Sequence, residues 1–241
     1  MITFLNKFAT FLPMFNLSFL TNPKKRAWKR AQNQEFSWWR GIASNGYKDN
    51  KPEQFVSEFQ KSWMIEQINY LDKPLEYWKD KTIVEFGPGP AGLVEYVEAK
   101  RKYGVEPLIE KYKSVFPHLK NSSVEYISSP AENCDSIPSN VADLSICFNV
   151  LDHTFAPEKV LKQLLRVTKP NGEVLFQLNV FGSEQEFKNK SGLHAELHPH
   201  SFTKDSVLAL LAGSGLKVLK YRHSEGRNPE GEFFLIIHLV K

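Results

Sequence analysis

Thr82 to Leu93, TIVEFGPGPAGL, decides how the rest of the chain is read. Thr82-Ile83-Val84 is a short apolar run rich in β-branched residues, which suits a strand buried on both faces of a parallel sheet. Glu85-Phe86 closes it, Gly87-Pro88-Gly89-Pro90-Ala91-Gly92 forms a turn, and Leu93 to Val97 reads as a helix. Strand, glycine turn and helix start make a nucleotide-type loop. Glycines let the backbone approach a ligand closely, and the helix start offers N–H groups and the positive end of a dipole. The glycine pattern alone is shared with dinucleotide-binding folds.

Two acids separate the readings. Glu85 sits two residues before the first glycine, where a pyrophosphate would be repelled and an ammonium group welcomed. Glu106 follows 21 residues later, after an apparent second strand, where a carboxylate can accept both hydroxyls of a ribose. Together they fit a cationic adenosine ligand better than a dinucleotide. The stretch resembles the first motif of class I S-adenosylmethionine-dependent methyltransferases, an apolar strand, an acid, one apolar residue and GxGxG. Here the third glycine, Gly92, is shifted one place.

The resemblance covers about residues 80–241 and implies a site. Glu85, Gly87, Pro88, Gly89 and Gly92 would hold the methionine end of S-adenosylmethionine, and Glu106 the ribose. Ala131-Glu132 matches where the family contacts the adenine amino group. Asn149 falls where the chain passes over the cofactor and opens towards substrate. A strand-end glutamate also serves as a helix cap, and a loop acid such as Glu132 is often only solvated, so both readings stand at this level.

Asn149-Val150-Leu151-Asp152-His153-Thr154 resembles the same region of small-molecule methyltransferases, the ubiquinone-biosynthesis type among them. It lacks the Asn/Asp-Pro-Pro-aromatic motif of enzymes that methylate nucleic-acid amines. That absence, with a net charge of only +4, argues against a nucleic-acid partner. The acceptor expected is a small molecule methylated on oxygen, with a lipid, quinone or glycan intermediate suiting the aromatic N-terminal region. An alcohol must lose its proton as it attacks, and imidazole is the ordinary group to take it. His153 is the first candidate catalytic base and His200 the second, with His198 beside it. The H-x3-H-x-H spacing of His194, His198 and His200 is interrupted by Pro199 and makes a poor metal site, so no metal is expected.

The chain has 241 residues, 41% of them hydrophobic, enough for one large domain with an added segment. We expect an N-terminal helical cap over residues 1–80 and an S-adenosylmethionine-binding domain over 81–241. Phe4, Leu5, Phe8, Phe11, Leu12 and Phe15 share one helical face and precede a basic cluster from Lys24 to Arg30 that includes Trp28. Such a pattern suits peripheral membrane contact through residues 1–30, or else a helix packed on the domain. Cys134 and Cys147 form no metal-like pair and read as buried thiols of a cytoplasmic protein. Most aromatics between 27 and 80 read as core of the cap.

From residue 81 the pattern alternates. The second strand is expected to end over Gly104–Leu108, with further strands at Val124–Ile127, Ala142–Phe148 and Glu173–Asn179 and helices at Ile109–Phe116, Pro157–Val167 and Ser206–Leu211. Lys169 to Gly172 is a turn. Leu216–Tyr221 and Phe233–Val240 close the chain as a hairpin across a polar loop, Arg222 to Glu232. The expected fold is α/β: a doubly wound, Rossmann-like, seven-stranded, mostly parallel sheet whose last strand is antiparallel. A nicotinamide oxidoreductase and a non-catalytic methyltransferase-like binding protein remain as alternatives, the first opposed by Glu85 and the terminal hairpin.

Overall fold

A computed structural model describes residues 23–45, 55–189, 197–229 and 231–241. The proposed interfacial face from Phe4 to Phe15 lies outside the described residues, as does His194.

The described residues open with helix α1 (Pro23–Asn45), followed by a π-helical stretch (Phe55–Gln60) that runs into α2 (Lys61–Ile68). Strand β1 (Thr82–Phe86) leads through the glycine turn to a single-turn α3 (Leu93–Tyr96), shorter than the pattern from Leu93 onward suggested. Next come β2 (Arg101–Val105), α4 (Ile109–Val115), β3 (Glu125–Ile127), β4 (Ala142–Phe148) and α5 (Pro157–Val167). The chain ends with β5 (Thr168–Val180), α6 (Glu184–Lys188), α7 (Lys204–Ala212), β6 (Lys217–Arg227) and β7 (Phe233–Val240).

The strands form one sheet in the order β3-β2-β1-β4-β5-β7-β6. β1 to β5 pair in parallel, and β7 runs antiparallel to both β5 and β6. The chain moves outward from β1 to β3 and then returns to set β4 on the other side of β1. At that switch point the carboxyl ends of β1 and β4 lie side by side, with Phe86 opposite Cys147. Ligands of doubly wound sheets bind in the crevice that such a reversal opens.

Alternate residues of each strand feed two cores. Val84, Phe86, Cys147 and Phe176 face α5 and α7, packing on Leu161, Leu164, Val207 and Leu211. Ile83, Leu144, Ile146 and Leu175 face the other way, onto Met64, Ile68, Trp78, Leu93 and Val94. Burial on both faces explains why β1 and β4 read as mainly apolar runs without a regular polar alternation. Pro157 starts α5, where its missing N–H costs nothing, and Thr203 caps α7 through a capping box with Ser206.

A third cluster fastens the N-terminal helix. Phe36 and Trp39 of α1 pack on Tyr112, and Trp39 also on Phe116, both in or beside α4. At its other end Trp28 meets Phe155 edge-on, 5.6 Å between ring centres. Trp28 thus packs on the segment between β4 and α5. Among the described residues no helix is long and apolar enough to cross a membrane.

Strand boundaries differ from the sequence expectation at three places, the first being β2, which ends at Val105 rather than Leu108. β5 starts at Thr168, ahead of the anticipated turn; Asn171, at φ 62°, and a register shift against β4 mark the irregularity there. β6 continues to Arg227 through two register shifts and takes in half of the expected polar loop. As an edge strand it can carry polar residues on its exposed face, which hides it from a hydrophobicity pattern. Cys134 and Cys147 are buried, unpaired thiols.

Candidate active site

A cavity of about 490 Å³ opens at the β1–β4 switch point. Gly87, Pro88 and Gly89 line it from the first turn, Glu106 to Leu108 from the end of β2, and Pro130 to Glu132 from the segment after β3. Asn149, Val150, His153 and Thr154 follow β4. Helix α1 roofs it with Trp28, Gln32, Glu35 and Trp39, which recur at helical spacing, and with Trp38. Trp63 adds a fourth tryptophan out of five in the chain, so these rings serve the cavity more than a separate core.

The turn is held by its own acid. Glu85 is 1% exposed and its carboxylate accepts from the Leu93 N–H at 3.1 Å and the Val94 N–H at 2.7 Å. Its side chain thus lies beneath the turn as a cap on α3 and does not line the cavity. Burial pushes its pKa up to about 7, with the two N–H donors offsetting only part of that. Gly92 is also absent from the cavity wall: a Cβ there would stand 2.3 Å from Pro88 Cβ and 2.8 Å from Glu85 Oε2. Gly89 sits at φ +57°, in the left-handed region, with the Trp39 ring 3.7 Å from where a Cβ would be. Gly87 faces Val150 across the switch point.

Glu106 does line the cavity. It accepts from the Gly89 N–H at 3.1 Å and the Leu108 N–H at 2.9 Å, is 5% exposed, and burial raises its pKa to about 7. Two carboxylate oxygens offer about four acceptor sites, so two protein donors leave capacity for a ligand's hydroxyls.

Glu132 divides its oxygens. Oε1 accepts from the Phe155 and Ala156 N–H groups at 2.7 and 3.0 Å, capping the start of α5. Oε2 is buried without a hydrogen-bond partner, and burial holds the carboxyl above its ordinary range. Glu132 is therefore a buried helix cap and not the solvated loop acid that the sequence also allowed. Ala131 lines the cavity beside it. Asn149 takes a left-handed conformation, φ 49°, and its Oδ1 accepts from the Asn179 N–H at 3.0 Å, so its side chain ties the ends of β4 and β5.

The histidines separate clearly. His153 and His198 both line the cavity, their rings 4.4 Å apart. Asp152 Oδ2 lies 3.7 Å from His153 Nε2 and 3.5 Å from His198 Nε2. Glu35 Oε2 is 3.9 Å from His153 Nδ1. Burial alone would lower the His153 pKa, but the Asp152 and Glu35 carboxylates and the Leu197 carbonyl hold it above the ordinary value. His200 does not line the cavity; its N–H donates to the Asp152 carbonyl at 3.2 Å and its ring stacks on Phe202. The second histidine at the site is thus His198 rather than His200, because Pro199 and the bridge from Phe181 to Thr203 steer the next residue away.

Four glutamates, Glu35, Glu106, Glu132 and Glu232, line the cavity, and no Lys or Arg does among the described residues. In a chain of net charge +4 this is a local reversal of sign. It favours a cation and opposes a pyrophosphate, which disfavours a nicotinamide dinucleotide. Glu35 and Glu232 escaped the sequence reading; the Trp28, Gln32, Glu35, Trp39 series was the signal for the first.

Residues 62–221 match the family described as the methyltransferase domain. No curated protein matches the sequence. Among solved structures, the cyclase SpnF superposes with a TM-score of 0.65 at 13% identity, over 89% of this chain and 96% of its own. An S-adenosylmethionine-dependent methyltransferase of Thermotoga maritima gives 0.60 at 17% identity, over 89% and 99%. The N-methyltransferase NodS of Bradyrhizobium japonicum gives 0.56 at 11%, over 78% and 98%. At these identities the superpositions establish the fold.

Proposed function

The chain belongs to the methyltransferase-domain family, as an S-adenosylmethionine-dependent enzyme, and from that premise we propose that it methylates an oxygen of a small molecule held under helix α1. The observation that carries this reading is the single cavity that joins Glu106 and the Gly87–Gly89 turn to His153.

The residues present fit the cofactor. Gly89, with its left-handed backbone, leaves room for close approach to the methionine end. Glu106 would take the ribose hydroxyls, and the unsatisfied Oε2 of Glu132 an amino group such as that of adenine. Gly87, Pro88, Ala131 and the Asn149 backbone would complete the walls, while Glu85 and Gly92 shape the turn from below. When bound, S-adenosylmethionine supplies a methyl group on a cationic sulfur, and the glutamate-lined wall suits that charge. The tryptophans of α1 and Trp63 offer flat apolar surfaces to the acceptor. Asp152, His153 and His198, which lie close together, would activate its hydroxyl.

The test is transfer of labelled methyl from S-adenosylmethionine across a panel of hydroxylated and amine-bearing small molecules. Label on a hydroxyl oxygen supports the reading; label only on nitrogen would reject oxygen as the acceptor atom. The segment before Pro23 is proposed as a peripheral membrane contact. Its removal should abolish co-sedimentation with anionic liposomes, and unchanged sedimentation would reject that contact.

A further inference from the structure

Asp152, His153 and His198 bring three donor atoms together, all within 4.8 Å of one another, with the two histidines on the cavity wall. Two separate pieces of chain supply them: the turn after β4 and the segment that leads into α7. The sequence gives no sign of this, since the histidine spacing alone looked unsuitable for a metal.

Three observations point to a cation. Asp152 Oδ2 is approached by two imidazole nitrogens, at 3.7 and 3.5 Å, while Asp152 Oδ1 is buried without a hydrogen-bond partner. Two imidazole nitrogens with a carboxylate oxygen form a donor set for a divalent ion. Donors each about 2.1 Å from one ion lie roughly 3.0–3.4 Å apart, so side-chain rotations of about 1 Å close the set. Behind His153, Nδ1 faces Glu35 at 3.9 Å, and Glu35 Oε1 accepts from Trp39 Nε1 at 2.9 Å. A carboxylate behind a ligating imidazole fixes its tautomer and raises its basicity.

We propose that Asp152, His153 and His198 bind one divalent first-row transition-metal ion whose remaining positions face the cavity. This rests on the oxygen-acceptor reading above: the ion takes the acceptor's hydroxyl and polarises it. The O–H proton leaves to water, a new O–CH₃ bond forms, and the methyl–sulfur bond breaks to leave a neutral thioether. Glu35 acts as a positioning residue through His153.

The probe is Co²⁺ titrated into full-length protein freed of metal by a chelator, in the absence of S-adenosylmethionine, followed by its visible d–d absorption. One equivalent should bind. The band should be absent in the His153→Ala/His198→Ala double variant and in His198→Asn, a milder change at a half-buried ring, with melting temperature confirming the fold. Glu35→Gln should keep the band and weaken binding about 10–100-fold. No band in the wild type, or a band retained in the double variant, overturns the site. Calorimetry with S-adenosylmethionine on the same samples judges the cofactor reading independently, so either can fail alone.

Discussion

Glu106 Oε2 accepts a hydrogen bond from the Gly89 N–H at 3.1 Å, so one carboxylate ties the end of β2 to the turn after β1. The same side chain fixes the start of the next segment through the Leu108 N–H. A group that organises two loops and also faces the cavity couples cofactor affinity to loop geometry.

Replacing it should show both effects. Glu106→Ala should weaken S-adenosylmethionine binding by about 1.5–3 kcal/mol, the range for hydrogen bonds to a charged group. Isothermal calorimetry measures this, and an unchanged affinity would remove Glu106 from the ribose site.

Its raised pKa gives two opposite pH trends. Ligand hydroxyls donate to the ionised carboxylate, so binding favours proton loss and affinity should rise with pH, by up to about tenfold per unit below pH 7. Fold stability runs the other way. A carboxylate whose folded pKa is raised from 4.5 to about 7 contributes stability that is fully present below 4.5 and lost as pH rises through 7. Glu85 shares this second trend without lining the cavity. Glu106→Gln should flatten the affinity profile while leaving Glu85's part of the stability profile. Calorimetry and thermal melts between about pH 5 and 8 separate the two.

Gly89→Val and Gly92→Ala should fail differently. At Gly89 a β-branched side chain meets a left-handed backbone facing the ligand, so cofactor binding should be lost. At Gly92 the added Cβ strikes Pro88 and the Glu85 carboxylate, so the larger loss should be in melting temperature. Equal effects of both on stability, with binding intact in Gly89→Val, would show that the turn does not cradle the ligand.

Much of this architecture was legible in the sequence because β1, β4 and β7 are buried runs with little ambiguity of period, and α5 carries a one-sided apolar stripe. The glycine turn and Glu106 were legible for the same local reason. What was not legible depends on tertiary closure. Glu85 reads as a ligand contact until its oxygens are seen on Leu93 and Val94. His198 meets His153 only because the segment before α7 folds back over the β4 loop. The polar edge strand β6 was cut short because half of its side chains face outward.

The histidines should sort by position. His153→Ala and His198→Ala should each lower the methyl-transfer rate by about 10²–10⁴ with little change in cofactor affinity. His200→Ala should keep the wild-type rate, since its ring rests on Phe202 outside the cavity. Single-turnover assays of the three variants check this; a large loss only in His200→Ala would reverse the assignment.

The most direct measurement is calorimetric titration of wild-type protein and of Gly89→Val with S-adenosylmethionine, set beside titration of the wild type with NADH. The account predicts one site for S-adenosylmethionine, its loss in the variant, and no heat from NADH. Saturable binding of NADH with none of S-adenosylmethionine would contradict it.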